Sequence, residues 1–171
     1  MSIFSRIFSR RDEHAAVRPL WHRVVAIARE PEWYAQGGVA DTVPGRFDAI
    51  TMVLAAVLVR MEREEALIPP SVLLTELFVE DMDGQLRESG VGDMIVGKHI
   101  GKLMGTMGGR LGAYRDALAS DDAAALADAV TRNVSLPDGA DPTAVAVRLR
   151  TLADTVAAMP AADLLAGNIA R

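Results

Sequence analysis

The chain has 171 residues, a formal net charge of −5, half of its residues hydrophobic, 5% aromatic and no cysteine. Disulfides, thiolate zinc sites and cysteine nucleophiles are therefore excluded, and the acidic balance argues against a general nucleic-acid binder, which is usually basic. The length suits one domain that buries roughly 70% of its unfolded surface, and a composition rich in alanine and leucine favours helices over strands.

Residues 1–11 carry a tandem unit, Ile3-Phe4-Ser5-Arg6 followed by Ile7-Phe8-Ser9-Arg10. On a helix Ile3, Phe4, Ile7 and Phe8 share one face while Arg6 and Arg10 stack on another, the build of a basic amphipathic arm that lies at a membrane surface. These six residues are the expected membrane contacts. The longest apolar run, 49–59, is eleven residues and too short to cross about 30 Å of hydrocarbon as a helix. A secretory signal is not expected either, because the start lacks a long apolar stretch and a small-residue cleavage site.

A first domain helix is expected from about Asp12 to Glu30, ending at Pro31, with Gln36–Gly45 as loop because of Gly37-Gly38 and Pro44-Gly45. From Arg46 to about Glu64, Phe47, Ile50, Leu54, Val57, Leu58 and Met61 recur at helical spacing. The middle of this segment is apolar on every side, as expected of a central buried helix. Pro69-Pro70-Ser71 opens the next helix, which Gly90 stops near Ser89. Asp93 reads as the N-cap of the helix that follows.

That helix carries Gly97, Gly101, Gly105, Gly108, Gly109 and Gly112. At about 100° per residue all six fall within an arc of about 120°, with Val96, Ile100, Leu103, Met107, Leu111, Tyr114 and Leu118 on the adjacent arc. Lys98, His99, Lys102 and Arg110 fill the polar remainder. Each glycine in a helix interior costs roughly 1 kcal/mol relative to alanine. A smooth groove that admits another backbone would offset that cost. The alternative is close packing of the stripe on helix 46–64 within the domain.

Residues 120–171 hold fifteen alanines, four arginines and seven aspartates. Ser120-Asp121-Asp122 and Asp141-Pro142 look like helix starts, so two or three short helices are expected to cap the bundle. The expected fold is an all-α, single-domain bundle of six or seven helices, with arm 1–11, domain 12–171 and an alanine-rich cap at 120–171.

Catalytic and metal chemistry find little support. Gly92-Asp-Met-Ile-Val-Gly97-Lys98 has phosphate-loop spacing, but His99 stands where a serine or threonine hydroxyl is needed, and the preceding segment reads as helix rather than strand. The acidic residues Glu76, Glu80, Asp81 and Asp83 lack an EF-hand spacing and a histidine ligand. His14 and His22 lie on about one face without a carboxylate at i+4, and His99 stands alone. Asp81 falls at the margin of an apolar face and needs a partner, for which Lys98, Lys102 or Arg110 is expected. Trp21, Trp33 and Tyr34 read as core or loop anchors. No catalytic residue, metal or cofactor is expected.

The run Glu76-Leu-Phe-Val-Glu-Asp-Met-Asp-Gly-Gln-Leu-Arg-Glu-Ser-Gly-Val-Gly-Asp-Met-Ile-Val-Gly-Lys98, continued by Gly109-Arg-Leu-Gly-Ala-Tyr114, resembles the ubiquinol–cytochrome c chaperone family. Asp41-Thr-Val-Pro-Gly-Arg-Phe-Asp48 fits the same pattern, and the likeness spans roughly residues 17–133. One departure is local: Met107-Gly108 stands where members often carry an aromatic pair. The resemblance implies a non-enzymatic assembly factor for the respiratory cytochrome bc complex. Mitochondrial relatives bind newly made cytochrome b and work with a second assembly factor near the ribosome and inner membrane. A bacterial member, which the short start suggests, would act in the cytoplasm, peripherally on the cytoplasmic face of the inner membrane. The residues expected to bind the client are Asp81, Asp83, Arg87, Asp93, Lys98, Lys102, Arg110 and Tyr114, with Gly97, Gly101 and Gly105 as the approach surface. In this reading the lysines and Arg110 hold an acidic loop or terminus of the client, and Met82, Met94, Met104 and Met107 supply adaptable apolar contact. The alternative reading is a peripheral membrane protein whose groove holds an acyl chain or quinone.

Overall fold

The computed structural model describes the backbone of residues 3–88 and 93–170, with the side chains of those residues other than 3–12, 86 and 93–99. Within them the chain forms seven α-helices and no strand: α1 (Ile3–Ala28), α2 (Val43–Met61), α3 (Ile68–Glu88), α4 (Asp93–Ala119), α5 (Ala123–Asn133), α6 (Pro142–Ala157) and α7 (Ala161–Leu165). The arm and the first domain helix are one continuous backbone helix; the side chains of Ile3, Phe4, Arg6, Ile7, Phe8 and Arg10 lie outside the described residues. No helix among the described residues is long and apolar enough to cross a membrane.

The centre is α2, as its unbroken apolar middle requires. Residues from Ala49 to Val59 are all buried, and α1, α3, α4 and α6 pack around them. The helix begins earlier than its hydrophobic period suggests. Thr42 caps it by accepting a hydrogen bond from the Gly45 amide at 3.2 Å, and Pro44 sits in the first turn, where its missing N–H costs nothing. Pro44-Gly45 is thus a helix start rather than loop. Gly45 is required by close approach: a Cβ there would lie 1.9 Å from the Ala40 carbonyl oxygen.

The end of α1 is closed by the two aromatic residues expected to be anchors. Trp33 Nε1 donates to the Ile27 carbonyl at 2.8 Å and the Tyr34 hydroxyl to the Ala28 carbonyl at 2.7 Å. Both satisfy carbonyls that a helix terminus leaves without an internal partner. Arg150 of α6 performs the same service for α4, reaching the carbonyls of Leu118, Ala117 and Ser120 at 2.6, 3.0 and 3.0 Å. The alanine-rich segment contributes Leu126, Val145, Leu149, Val156 and Leu164 to the core. It also returns to α1, where Arg23 Nε donates to the Ile169 carbonyl at 2.9 Å.

Candidate functional site

α4 packs on α2 and α3 through the apolar arc read from its sequence. Met107 and Tyr114 are 2% and 1% exposed, with Leu118 buried beside them and Leu103 and Leu111 half-buried. Its glycines point the other way. A Cβ built on Gly101, Gly105, Gly108, Gly109 or Gly112 meets no atom within 4 Å. The stripe therefore does not serve packing against α2, which overturns that alternative for the five described glycines; the surroundings of Gly97 lie outside the described residues. Lys102 is exposed on the same outward side.

Beside this glycine face an apolar groove of about 570 Å³ opens between α3 and α4 over the end of α2. Leu58 comes from α2, Val72, Thr75 and Val79 from α3, and Met104 and Leu111 from α4. Val72 is 55% and Met104 37% exposed, an unusual investment of apolar surface in one place. Glu62, Glu76 and Glu80 also line the groove, and among the described residues its lining holds no lysine or arginine. Arg115 engages Glu62 with two hydrogen bonds, 2.6 and 2.8 Å. His14 of α1, buried, places Nε2 at 2.9 Å from Glu76 and Nδ1 at 3.5 Å from Glu80. The sequence offers His14 no carboxylate at i+4 on its own helix; its carboxylate partners come from α3.

Several residues expected to meet a client do structural work instead. Arg110 turns inward, pairing with Asp48 of α2 at 2.6 Å, donating to Thr51 Oγ1 at 2.6 Å and lying 5.3 Å over the Phe47 ring. Asp48, 4% exposed, also accepts from the amide and hydroxyl of Ser135 at 2.8 and 2.6 Å. One carboxylate thereby ties α2 to α4 and to the α5–α6 connection. Tyr114 is enclosed next to this pair. Burial holds its hydroxyl well above the ordinary tyrosine range, and that hydroxyl has no hydrogen-bond partner. Neither Arg110 nor Tyr114 offers a surface to a partner.

Asp81 finds none of its expected cations. Its carboxylate accepts from Trp21 Nε1 of α1 at 2.8 Å, and that indole packs edge-on against Phe78 at 6.1 Å. Asp83 pairs with Arg87 one turn on, at 2.7 Å, and both remain at the surface of α3. Asp93 is the first residue of α4 rather than a position ahead of it; the side chains of Asp93, Met94 and Lys98 lie outside the described residues. Met82 and Met107 belong to the core, whereas Met104 is exposed and lines the groove. The phosphate-loop spacing has no phosphate-loop structure: helix α3 precedes it and Gly97-Lys98 lies within α4. No group of three or more metal-ligating side chains occurs among the described residues.

The fold and this surface define a class of protein: an all-α single-domain bundle with an open apolar groove flanked by a glycine-lined helix. The chain belongs to the ubiquinol–cytochrome c chaperone family, whose model matches residues 35–171, from the α1–α2 connection through α7. Its structure is similar to the crystal structure of the Cbp3 homolog from Brucella abortus, at 35% sequence identity and a TM-score of 0.79, covering 98% of this chain and 95% of that one. No curated protein matches the chain significantly. Asp48 and Arg110 are the buried ion pair that seats α4 on α2.

Proposed function

We propose that this chaperone binds newly made cytochrome b and holds it during assembly of the ubiquinol–cytochrome c oxidoreductase, without catalysing a reaction of its own. The observation that carries the reading is the outward face of α4, where a Cβ on any of five glycines would meet no neighbouring atom of the described residues within 4 Å, alongside an apolar groove. A membrane helix awaiting its partners exposes apolar surface, and small residues let a second helix approach closely. Methionine at the groove edge adapts to sequences that vary along such a helix. The client works in the inner membrane, so the encounter takes place at its cytoplasmic face, with the arm of α1 as membrane contact. Lys102 and the glycines Gly101 and Gly105 remain the α4 residues proposed to meet the client, joined by Val72 and Met104; Asp83 and Arg87 lie on α3 beyond them.

Deletion of the gene in its native cell tests this reading. Membranes of the deletion strain should lose the dithionite-reduced cytochrome b absorbance and the quinol-dependent reduction of cytochrome c, with the messenger for cytochrome b unchanged. Wild-type levels of assembled complex in that strain would refute it.

A further inference from the structure

A basic strip runs along the solvent side of α1, although the chain as a whole carries a net charge of −5. Arg18, His22 and Arg29 stand at i, i+4 and i+11, within about 40° of one another on the helix, and all three are exposed. Arg29 follows Ala28 directly, its amide still reaching the Val25 carbonyl at 3.2 Å as in the helix. The strip ends at a cleft of about 370 Å³ where α1 meets the start of α2, lined by Arg29, Pro31, Tyr34, Ala35, Asp41 and Arg46. Tyr34 gives its proton to the Ala28 carbonyl, so it forms a fixed wall, and the positive charge of the cleft comes from its arginines. Asp41 accepts from Arg46 Nε at 2.7 Å and neutralises one of them. Among the described residues the Nη groups of Arg46 and the guanidinium of Arg29 have no hydrogen-bond or ion-pair partner. Two acidic residues, Asp12 and Asp93, have side chains outside the described residues, and both stand well apart. Asp12 is about 24 Å along α1 from its end, and Asp93 is about 25 Å along α4 from Arg110, which lies over Phe47 next to Arg46.

We propose that this cleft binds the phosphate of an anionic lipid headgroup, with the strip of α1 lying along the bilayer surface beside it. This deepens the chaperone reading and rests on its placement at a membrane face. A phosphate offers oxygens to two guanidiniums at once, the geometry in which arginine holds an oxyanion most firmly. Arg46 stands in the first turn of α2, where the helix dipole adds to its charge. The opposing end of α1 is blunted, because Trp33 and Tyr34 occupy the Ile27 and Ala28 carbonyls. Charge alone would suit an acidic protein segment equally, but two neighbours favour a bilayer. Val43 is 83% exposed at the start of α2, three residues from Arg46. The backbone of α1 is one helix from Ile3 onward, so the strip continues the element that begins with the expected membrane contacts. An exposed apolar residue beside basic ones is the build of a surface that enters the headgroup region, and an anionic leaflet attracts each arginine near it.

The test uses the full chain and two kinds of vesicle, phosphatidylcholine alone and phosphatidylcholine with one-third phosphatidylglycerol, read by co-sedimentation at low salt. Wild type should bind the phosphatidylglycerol vesicles and leave the others in suspension. An arginine near an anionic leaflet supplies about fivefold in binding, so Arg29→Gln/Arg46→Gln should weaken it roughly 25-fold. Arg63→Gln/Arg132→Gln removes the same charge at exposed positions on other elements and should change binding by about twofold at most, because the attraction fades within a Debye length. Arg29→Gln alone should weaken binding about fivefold and keeps the test open should the double variant fold poorly. Equal weakening by the two double variants, or no binding of wild type to phosphatidylglycerol vesicles, would overturn the proposal. A melting temperature raised by inorganic phosphate, against chloride at equal ionic strength, in a protein that ignores vesicles would assign the cleft to soluble phosphate and overturn the lipid source. Binding of a polyglutamate peptide that Arg29→Gln/Arg46→Gln abolishes, again without vesicle binding, would assign it to an acidic protein segment instead. The deletion strain separates the two readings: complex lost while the cleft variant binds vesicles like wild type refutes the cleft alone, and complex retained refutes the chaperone reading beneath it.

Discussion

Gly105→Ala and Gly109→Ala, singly and together, should make this protein more stable. An interior helical glycine is about 1 kcal/mol less favourable than alanine, because it gives up more backbone freedom on folding and leaves the backbone exposed to water. The usual opposing cost, a clash of the new methyl, is absent, since a Cβ at either position meets nothing within 4 Å. For a domain of this size 1 kcal/mol moves the melting temperature by roughly 2–4 °C, so the double variant should melt about 4–8 °C above wild type. Thermal unfolding followed by circular dichroism at 222 nm, with urea titration as a second measure, gives both numbers. Gly45→Ala is the control of opposite sign. Its Cβ would lie 1.9 Å from the Ala40 carbonyl oxygen, so a loss on the order of 3 kcal/mol is expected from forced displacement of backbone. A double variant that melts at or below the wild-type temperature would show that the glycine face packs against something within the folded chain, and would refute the argument that it is held open for a partner.

Removing Arg110 should be severe, because Arg110→Met leaves the Asp48 carboxylate buried without its cation; a loss of about 3–5 kcal/mol is expected, and Asp48→Asn/Arg110→Met, which removes the charge but keeps an acceptor for Ser135, should recover most of it in urea denaturation. Recovery of nothing by the double variant would mean that the pair is not the source of the loss. Tyr114→Phe should be neutral or stabilising by up to about 1 kcal/mol at pH 8, since the hydroxyl it deletes is buried without a partner. Burial raises the Tyr114 pKa in the folded state above its ordinary value of 10.0, so the neutral form supports the fold fully below pH 10 and that support drains away as the pH rises beyond it. Melting curves between pH 9 and 11.5 should therefore fall less steeply for Tyr114→Phe than for wild type, and parallel curves would contradict the assignment.

The elements of this fold were legible because they are written locally. The apolar run of α2 and the arc of Met107, Leu111, Tyr114 and Leu118 on α4 set their own periods, and Pro69-Pro70 and Asp141-Pro142 mark helix starts by fixed φ and a missing donor. The boundary at Pro44-Gly45 was misread because both residues are ordinary loop formers. The close approach of the Ala40 carbonyl, five residues back, shows that glycine there serves a helix start. The side-chain partners were less legible because they lie across helices. Asp81 was recognisable as a carboxylate in need of a donor, but nothing within sixty residues identifies that donor as Trp21. Arg110 sits among polar positions on a helical wheel, and its inward turn follows from Asp48, on another helix. The groove itself has no sequence signature, since Val72, Val79 and Met104 look like core until α3 and α4 are placed side by side.

The central claim is that cytochrome b lies on the outer face of α4. A photo-crosslinking residue placed at Lys102 in the native cell, with a second at Val147 on the exposed side of α6 as reference, tests it most directly. Mass spectrometry of the captured species should identify cytochrome b from Lys102 and not from Val147. Capture of cytochrome b from Val147 alone, or of lipid alone from Lys102, would contradict the account.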